Sequence, residues 1–277
     1  MMLTGVKRLI KPIFYNLITL YAIVKNISFL YRENTRPKKM GEKIVILGNS
    51  PDVEMYLNKT DRFLDYDLLV VNFFPLQEGI FFGLKPRYLC LMDPIFFFKE
   101  LSTNDCIKNK VLSLFAVLEK VTWGLTLIIP AGSTIHVKNP KIEFINLSRA
   151  IYMNSTTDFQ ARCFYKNYIL PISHNVASSA LMFAEIFGYN QIALIGVNLD
   201  WMKSYAVDKD NVLWLEDTHF YGSNRRVKDD SYLGQLKATF YTFWGFNEAS
   251  ILAQFSKIKI VNYSPNSFLQ MFKKEVL

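Results

Sequence analysis

Histidine and cysteine are the scarcest reactive side chains in this 277-residue chain, with three copies of each. The cysteines Cys90, Cys106 and Cys163 form no CxxC pair, which removes the zinc patterns and suits a reducing compartment. No GxGxxG occurs, so a dinucleotide hydride-transfer enzyme is disfavoured. No GK[ST] occurs either, which removes a Walker A loop. The absence of a GxSxG elbow removes a Ser–His hydrolase of that kind. Apolar runs are also short. The longest uncharged stretch of the N-terminal region, Pro12 to Val24, contains Asn16 and falls short of the roughly 20 residues that span a bilayer.

What is abundant is apolar and aromatic: 51% hydrophobic and 15% aromatic residues, the mark of a globular chain. The formal net charge of +8 is concentrated in residues 1–43, where nine Lys/Arg face two Glu. The rest is nearly neutral, which argues against a broad nucleic-acid-binding face. Apolar stretches with basic punctuation in 7-KRLIKPIFYNLITLYAIVKNISFLYR-32 fit a helix lying in a membrane surface, Lys and Arg at anionic headgroups. Packing on the protein's own body, or against another subunit, is the alternative. No small-x-small cleavage site follows, so a signal peptide is not favoured. Residues 1–42 are thus read as a membrane-associating segment and linker, and 43–277 as the folded domain.

From Lys43 short Val/Ile/Leu-rich runs recur at 43–47, 68–71, 87–92, 125–129, 142–147, 191–195 and 258–263. Continuous apolar runs of this length suit strands covered on both faces. Helical patterns lie between them. In 178-SSALMFAEIFG-188 serines can cap the start and Gly188 the end, and 231–257 reads as one aromatic helix or a pair broken near Gly234 or Gly245. The expected fold is α/β and Rossmann-like: a mostly parallel sheet with helices on both faces, an N-terminal amphipathic helix and a lid-like insertion within 144–176 and 203–230.

Ligands of such sheets bind beyond the C-terminal strand ends. The candidates there are Gly48, Asn49 and Ser50 in 48-GNSPD-52, then Asn72, Asp93, Gly196, Asn198 and Asp200. A Gly turn opening a helix presents free N–H groups that suit a phosphate, although Pro51 and Asp52 are also ordinary helix-start residues. Asn72 and Asp93 can bind a sugar or base, or simply close an Asx turn. Tyr205 can donate a phenol to a leaving phosphate, or be a satisfied core tyrosine. His136 lies in a strand-like stretch and reads as structural; His174 precedes a helix and reads as a cap or ligand contact. His219 sits in 214-WLEDTHFYG-222, which shows no helical or strand period and reads as a polar loop. A neutral imidazole there is suited to general-base work, with Glu216 or Asp217 to orient it.

Together these blocks resemble the bacterial sialyltransferases of glycosyltransferase family 42. "KIVILGNSPD" looks like that family's nucleotide loop, "DLLVVNFF" its next strand, and "SSALMFAEIFGYNQIALIGVNLDWMKSYAVD" its helix–strand–Tyr segment. "THFYG" is similar to the general-base loop and "KIKIVNYSPNSFL" to the closing strand and PNS turn. The resemblance runs from Lys43 to Phe272 and is poor between Leu101 and His174. It implies a CMP-activated sugar donor and inversion at the anomeric carbon; no DxD-like metal pair stands out, so no metal or cofactor is expected. Asn49 and Asn72 would hold the nucleotide, Ser178 or Ser179 the donor, Tyr205 the leaving phosphate and His219 the acceptor hydroxyl. Departures fall where the family has Asn, Arg and Tyr and this chain has Asp93, Asn175, and Asp200 or Trp201.

The expected function is an inverting transferase peripheral to the inner face of the bacterial cytoplasmic membrane, acting on a lipooligosaccharide or capsule acceptor. The alternatives are a donor such as CMP-Kdo, or a non-catalytic nucleotide- or glycan-binding protein of the same fold. Homo-oligomerisation stays open, and no nucleic-acid partner is expected.

Overall fold

The computed structural model describes residues 2–25, 39, 41–97, 105–147, 157–166, 168–219, 222–227 and 231–277; for 2–9, 11, 106 and 216–227 it describes the backbone alone. The chain enters as helix α1 (Met2–Lys25) and then builds β1 (Lys43–Leu47), α2 (Val53–Leu57), β2 (Asp67–Val71), α3 (Glu78–Leu84) and β3 (Tyr88–Cys90). Next come α4 (Asp105–Glu119), β4 (Leu125–Pro130), β5 (Ile142–Leu147), α5 (Asp158–Tyr165), α6 (Val176–Ile186) and β6 (Gln191–Ile195). An antiparallel meander, β7 (Tyr205–Val207), β8 (Leu213–His219) and β9 (Gly222–Val227), precedes α7 (Tyr232–Phe255), β10 (Lys259–Asn262) and β11 (Lys273–Lys274).

The main sheet has eight strands in the order β11-β10-β6-β1-β2-β3-β4-β5, and every pairing in it is parallel. Helices cover both faces, and the fold is Rossmann-like. The strands alternate. Ile44, Ile46, Leu69, Val71 and Tyr88 join a core with α5, α6 and α7, while Val45, Leu47, Leu68, Val70 and Leu89 join one with α2, α3 and α4. Burial on both faces explains why these strands read as unbroken apolar runs. The chain order reverses between β1 and β6, which places a switch point, and with it a crevice, at their C-terminal ends.

Several elements differ from the sequence reading. Residues 214–222 are not an aperiodic loop: 213–219 and 222–227 form a hairpin, with His219 opposite Gly222. The hairpin was hidden because its two-residue connection lacks an Asn-Gly or Asp-Gly signal. His136 is exposed, in an extended stretch that pairs with no strand. Helix α6 is capped by Asn175, whose Oδ1 accepts from the Ala177 N–H at 2.8 Å, and not by its serines. The stretch 231–257 holds one continuous helix. Of the two stretches read as a lid, 203–230 holds the meander, whereas 144–176 supplies β5 and α5 to the body.

Helix α1 is turned inside out. Its polar side meets α5: Thr157 Oγ1 donates to Asn16 Oδ1 at 2.7 Å, and Gln160 Nε2 donates to Thr19 Oγ1 at 3.0 Å. Thr19 and Ala22 are buried, while Ile10, Ile13, Phe14, Leu17, Leu20, Tyr21 and Val24 are exposed. Among the described residues, no helix is long and apolar enough to cross a membrane.

In the core between α6 and its neighbours, Glu185 is 1% exposed and neither carboxyl oxygen has a hydrogen-bond partner. Burial pushes its pKa well above the usual value. Unfolded, it ionises near about 4.3. A raised folded pKa means that its contribution is fully present below the unfolded value and is lost as pH rises through the folded one. Glu185→Met should therefore be more stable than the wild type near pH 4, by about 1–3 kcal/mol for the unpaired carboxyl, and by a wider margin at pH 8, where the buried group must also ionise or hold its proton. Urea melts at the two pH values test this; a stability gap that does not change with pH would refute it.

Candidate functional site

The crevice is set by two strand ends that touch. Gly48, just after β1, donates its N–H to the Ile195 carbonyl at 2.8 Å, and Ser50 N–H donates to the Gly196 carbonyl at 3.1 Å. A Cβ on Gly48 would stand 2.1 Å from the Gly196 carbonyl oxygen, so only glycine fits. Gly196 has φ +72, a left-handed value natural to glycine. The turn after β10 then clamps this loop. Ser264 Oγ accepts from the Gly196 N–H at 2.7 Å, and Ser267 Oγ donates to the Val197 carbonyl at 2.7 Å.

Two connected compartments open above the strand ends. The narrow one, about 180 Å³, is lined by Gly48, Asn49, Ser50, Asn72, Gly196, Asn198, Asp200 and others. The wide one, about 720 Å³, includes Asp93, His174, Ser179, Tyr205, Leu215 and Gln235. Asn72, Asn175, Val176 and Trp201 line both. Of the candidates whose side chains are described, the crevice therefore collects all but Ser178. Ser178 is fully buried behind the wall, its hydroxyl bonded to Ser173 Oγ at 2.6 Å and to the Asn175 carbonyl at 2.7 Å. His219 ends β8, in the meander that contributes Tyr205 and Leu215 to the wall; its side chain lies outside the described residues. Glu216 and Asp217 share that limit.

Individual residues carry more than one duty. Asp93 accepts from the Ile95 N–H at 3.1 Å, capping a short 3-10 turn, and still faces the wide compartment. Tyr205 donates to Gln235 Oε1 at 3.2 Å on α7. Asp52 is more than the helix-start residue expected. It is 8% exposed, makes no capping bond, and its Oδ2 has no partner. Burial raises its pKa, the Asn198 side chain lowers it, Asp200 raises it again and the Asn266 side chain lowers it.

Asp52 belongs to a set. Asn49 Oδ1, Ser50 Oγ, Asp52 Oδ2, Asn72 Oδ1 and Asn198 Oδ1 are all buried with no hydrogen-bond partner. Unpaired buried oxygens each cost about 1–3 kcal/mol, and a cluster of them marks a place where a ligand supplies donors. Asn72 (φ 47) and Leu199 (φ 56) also hold left-handed backbone that non-glycine residues rarely adopt. The helix α2 that follows has only five residues, whereas the eleven-residue α6 starts at the crevice, its cap Asn175 and first residue Val176 lining both compartments. No Lys or Arg lines either compartment among the described residues. Nor does any group of three or more His, Cys, Asp and Glu there suit a metal ion.

His174, which the sequence leaves as a cap or a ligand contact, stands on the wall of the wide compartment. Its ring stacks on Tyr241 of α7, with centroids 5.0 Å apart and planes 20° apart. Gly245, one turn on, lets the loop lie against α7: a Cβ there would come within 2.5 Å of the Ile172 carbonyl oxygen. A His just before a helix that faces an aromatic helix was the available sequence signal, but the facing itself is tertiary.

Compared with protein-family models, with curated proteins and with solved structures, the chain gives no match. The resemblance drawn above rests on the residue blocks alone.

The two-glycine contact can be tested directly. Gly48→Ala must push the Gly196 carbonyl away, and should cost about 1–3 kcal/mol of stability together with any ligand binding in the narrow compartment. Gly83→Ala, on α3 with nothing within 4 Å of the added Cβ, is the control and should be neutral or slightly stabilising. Equal melting temperatures for the two variants would mean that the strand ends tolerate separation.

Proposed function

We propose that the protein is an inverting, sialyltransferase-like glycosyltransferase that moves a sugar from a CMP-activated donor to a cell-envelope glycan. The observation that carries this reading is that Asn49, Ser50, Asn72 and Asn198, each with an unpartnered buried oxygen, all line the narrow compartment at the switch point, with Asp52 against the Asn198 side chain. They come from the strand-end blocks that resemble family 42. A nucleoside offers donors to such a wall through its ribose hydroxyls and, in cytidine, its exocyclic amine. On this reading the nucleotide occupies the narrow compartment, and the sugar and acceptor meet in the wide one. The wide compartment, about 720 Å³, has the room for two sugars to meet.

The acceptor oxygen attacks the anomeric carbon from the face opposite the phosphate. The bond to the phosphate oxygen breaks, CMP leaves with the electron pair, and configuration inverts. His219 takes the acceptor proton, as the resemblance implies, from the meander that walls the wide compartment. The Tyr205 hydroxyl stands on the same wall to donate to the leaving phosphate. The reaction so written uses no metal or cofactor.

The site of action is the inner face of a bacterial cytoplasmic membrane. Helix α1 supports this with seven large apolar side chains turned outward, and with Lys7, Arg8, Lys11 and Lys25 but no acidic residue. Apolar burial in the headgroup region and attraction to anionic lipid act together on such a helix.

Three measurements test the reading. CMP should raise the melting temperature where UDP and GDP do not; stabilisation by the diphosphates alone would refute the donor assignment. His219→Ala should lower transfer by about 100- to 10,000-fold while donor affinity and the melting temperature stay nearly unchanged. A variant that keeps most of its rate would remove His219 from the mechanism. Leu17→Glu combined with Leu20→Glu should abolish sedimentation with anionic vesicles without loss of stability, because that face supports nothing inside the protein. Binding to neutral vesicles as strong as to anionic ones would remove the electrostatic part.

A further inference from the structure

His174 plays no part in the mechanism just given, yet its imidazole stands on the wall of the wide compartment. Three features place it there. Asn175 caps α6 and fixes the chain next to it. The Gly245 contact seats residues 172 and 173 on α7. Tyr241, on the same face of α7 one turn earlier, takes the ring in a near-parallel stack. The ring is thus held in plane, while no hydrogen bond from either ring nitrogen to the protein is seen among the described residues.

The groups around it are mixed in charge. Lys237 approaches from α7, Asp93 lies across the compartment after β3, and the Tyr205–Gln235 pair closes the meander side. Burial and then Lys237 lower the pKa of His174 below its ordinary value. At neutral pH the ring is therefore uncharged, with one nitrogen a donor and the other an acceptor. A fixed, neutral, two-faced hydrogen-bonding group beside Ser179 and Thr239 suits a hydroxyl, which also both donates and accepts.

We propose that His174 is a substrate-contacting residue that hydrogen-bonds a hydroxyl of the sugar occupying the wide compartment. The assignment rests on the transferase reading above, which puts sugar rather than nucleotide in this space. That hydroxyl belongs either to the donor's sugar or to the acceptor glycan, and the experiment separates the two. Protonation would remove the ring's acceptor nitrogen, so sugar affinity should fall as pH drops through the lowered pKa.

Three histidines make the test tractable. Protein labelled with ¹³C at histidine gives one imidazole ring signal each for His136, His174 and His219, assigned with the three His→Gln variants. His136 is exposed, lies outside both compartments, and is the internal control. CMP alone should leave the His174 signal nearly in place. CMP-sialic acid should move it if the donor's sugar makes the contact, and an envelope oligosaccharide added with CMP should move it if the acceptor does. The His136 signal should stay fixed throughout. His174→Gln should weaken binding of that ligand by roughly tenfold or less, as for one neutral hydrogen bond. The variant should also lose the acid-side fall in affinity, which a merely structural role would not produce. Gly245→Ala, which displaces the loop but keeps the imidazole, should weaken the same ligand.

The proposal is overturned if CMP-sialic acid and oligosaccharide both bind, by thermal shift, while the His174 signal and the pH dependence are unmoved. If no nucleotide or glycan in the panel binds, the transferase reading fails first, and this assignment falls with it. Binding of CMP alone, with no sugar-bearing ligand adding to it, upholds the nucleotide compartment and overturns His174 as a sugar contact.

Discussion

The contact between Gly48 and Gly196 is the constraint from which the rest of the crevice follows. Two parallel strands that leave the sheet in different directions must still bring their first loop residues together. Only the absence of a side chain at Gly48 allows the Gly196 carbonyl to approach as it does. That approach directs the loop of Asn49 and Ser50 to one side and the loop of Asn198 and Asp200 to the other. The Ser264–Ser267 turn then fixes the second loop through Gly196, Val197 and, by the Phe268 N–H, the Asn198 carbonyl. Backbone groups of Gly48, Ser50, Gly196, Val197 and Asn198 are engaged, while the side-chain oxygens of Asn49, Ser50 and Asn198 have no partner. Holding a ligand-binding group in place through its backbone is how a site becomes preorganised.

The opposite end of the same sheet shows that this chain can satisfy buried polar groups. Asp67 begins β2 with a fully buried carboxylate. It pairs with Arg87 Nε at 2.6 Å and accepts from the Tyr189 hydroxyl at 2.7 Å, and Tyr189 in turn bonds the Tyr88 hydroxyl at 2.8 Å. Such a network joins β2, β3 and the turn before β6 at their N-terminal ends. Removing one member would leave a buried charge uncompensated. At the C-terminal ends nothing comparable neutralises Asp52 Oδ2 or Asn198 Oδ1. The contrast within one sheet places the unsatisfied groups where a parallel fold binds ligands, and the satisfied ones where it does not.

The strands were legible because burial on both faces leaves a local mark: 44–47, 127–130 and 192–195 are apolar throughout. The crevice was legible for a related reason, since strand-end residues such as Asn72 and Asn198 follow directly from the strand positions. What stayed hidden depends on contacts distant in sequence. Asp52 reads as a helix-start acid until Asn198 and Asn266 are brought beside it. His174 reads as a cap or a ligand contact, and only Tyr241 of α7 decides where its ring lies. The 213–227 hairpin is held by backbone pairing, and its polar side chains carry no alternation that could have revealed it. Ser178 and Ser179 are adjacent in sequence, yet a helix turns them by about 100°, so one lines the wall and the other does not.

Helix α1 makes the same distinction in another form. Periodicity shows which residues share a face, but not which way that face points. Here two polar contacts decide the orientation: Asn16 with Thr157 and Thr19 with Gln160. Had the apolar stripe turned inward, Thr19 would not have met Gln160, whose side chain is buried and needs a partner. The arrangement keeps the stripe available at the cost of packing polar groups against the body. Its effect reaches the crevice through α5, which touches α1 on one side and α6 and α7 on the other. Those two helices carry Asn175, Ser179, Gln235 and Thr239 into the wide compartment. A surface that held α1 would thus be linked, through α5, to the helices that wall the wide compartment.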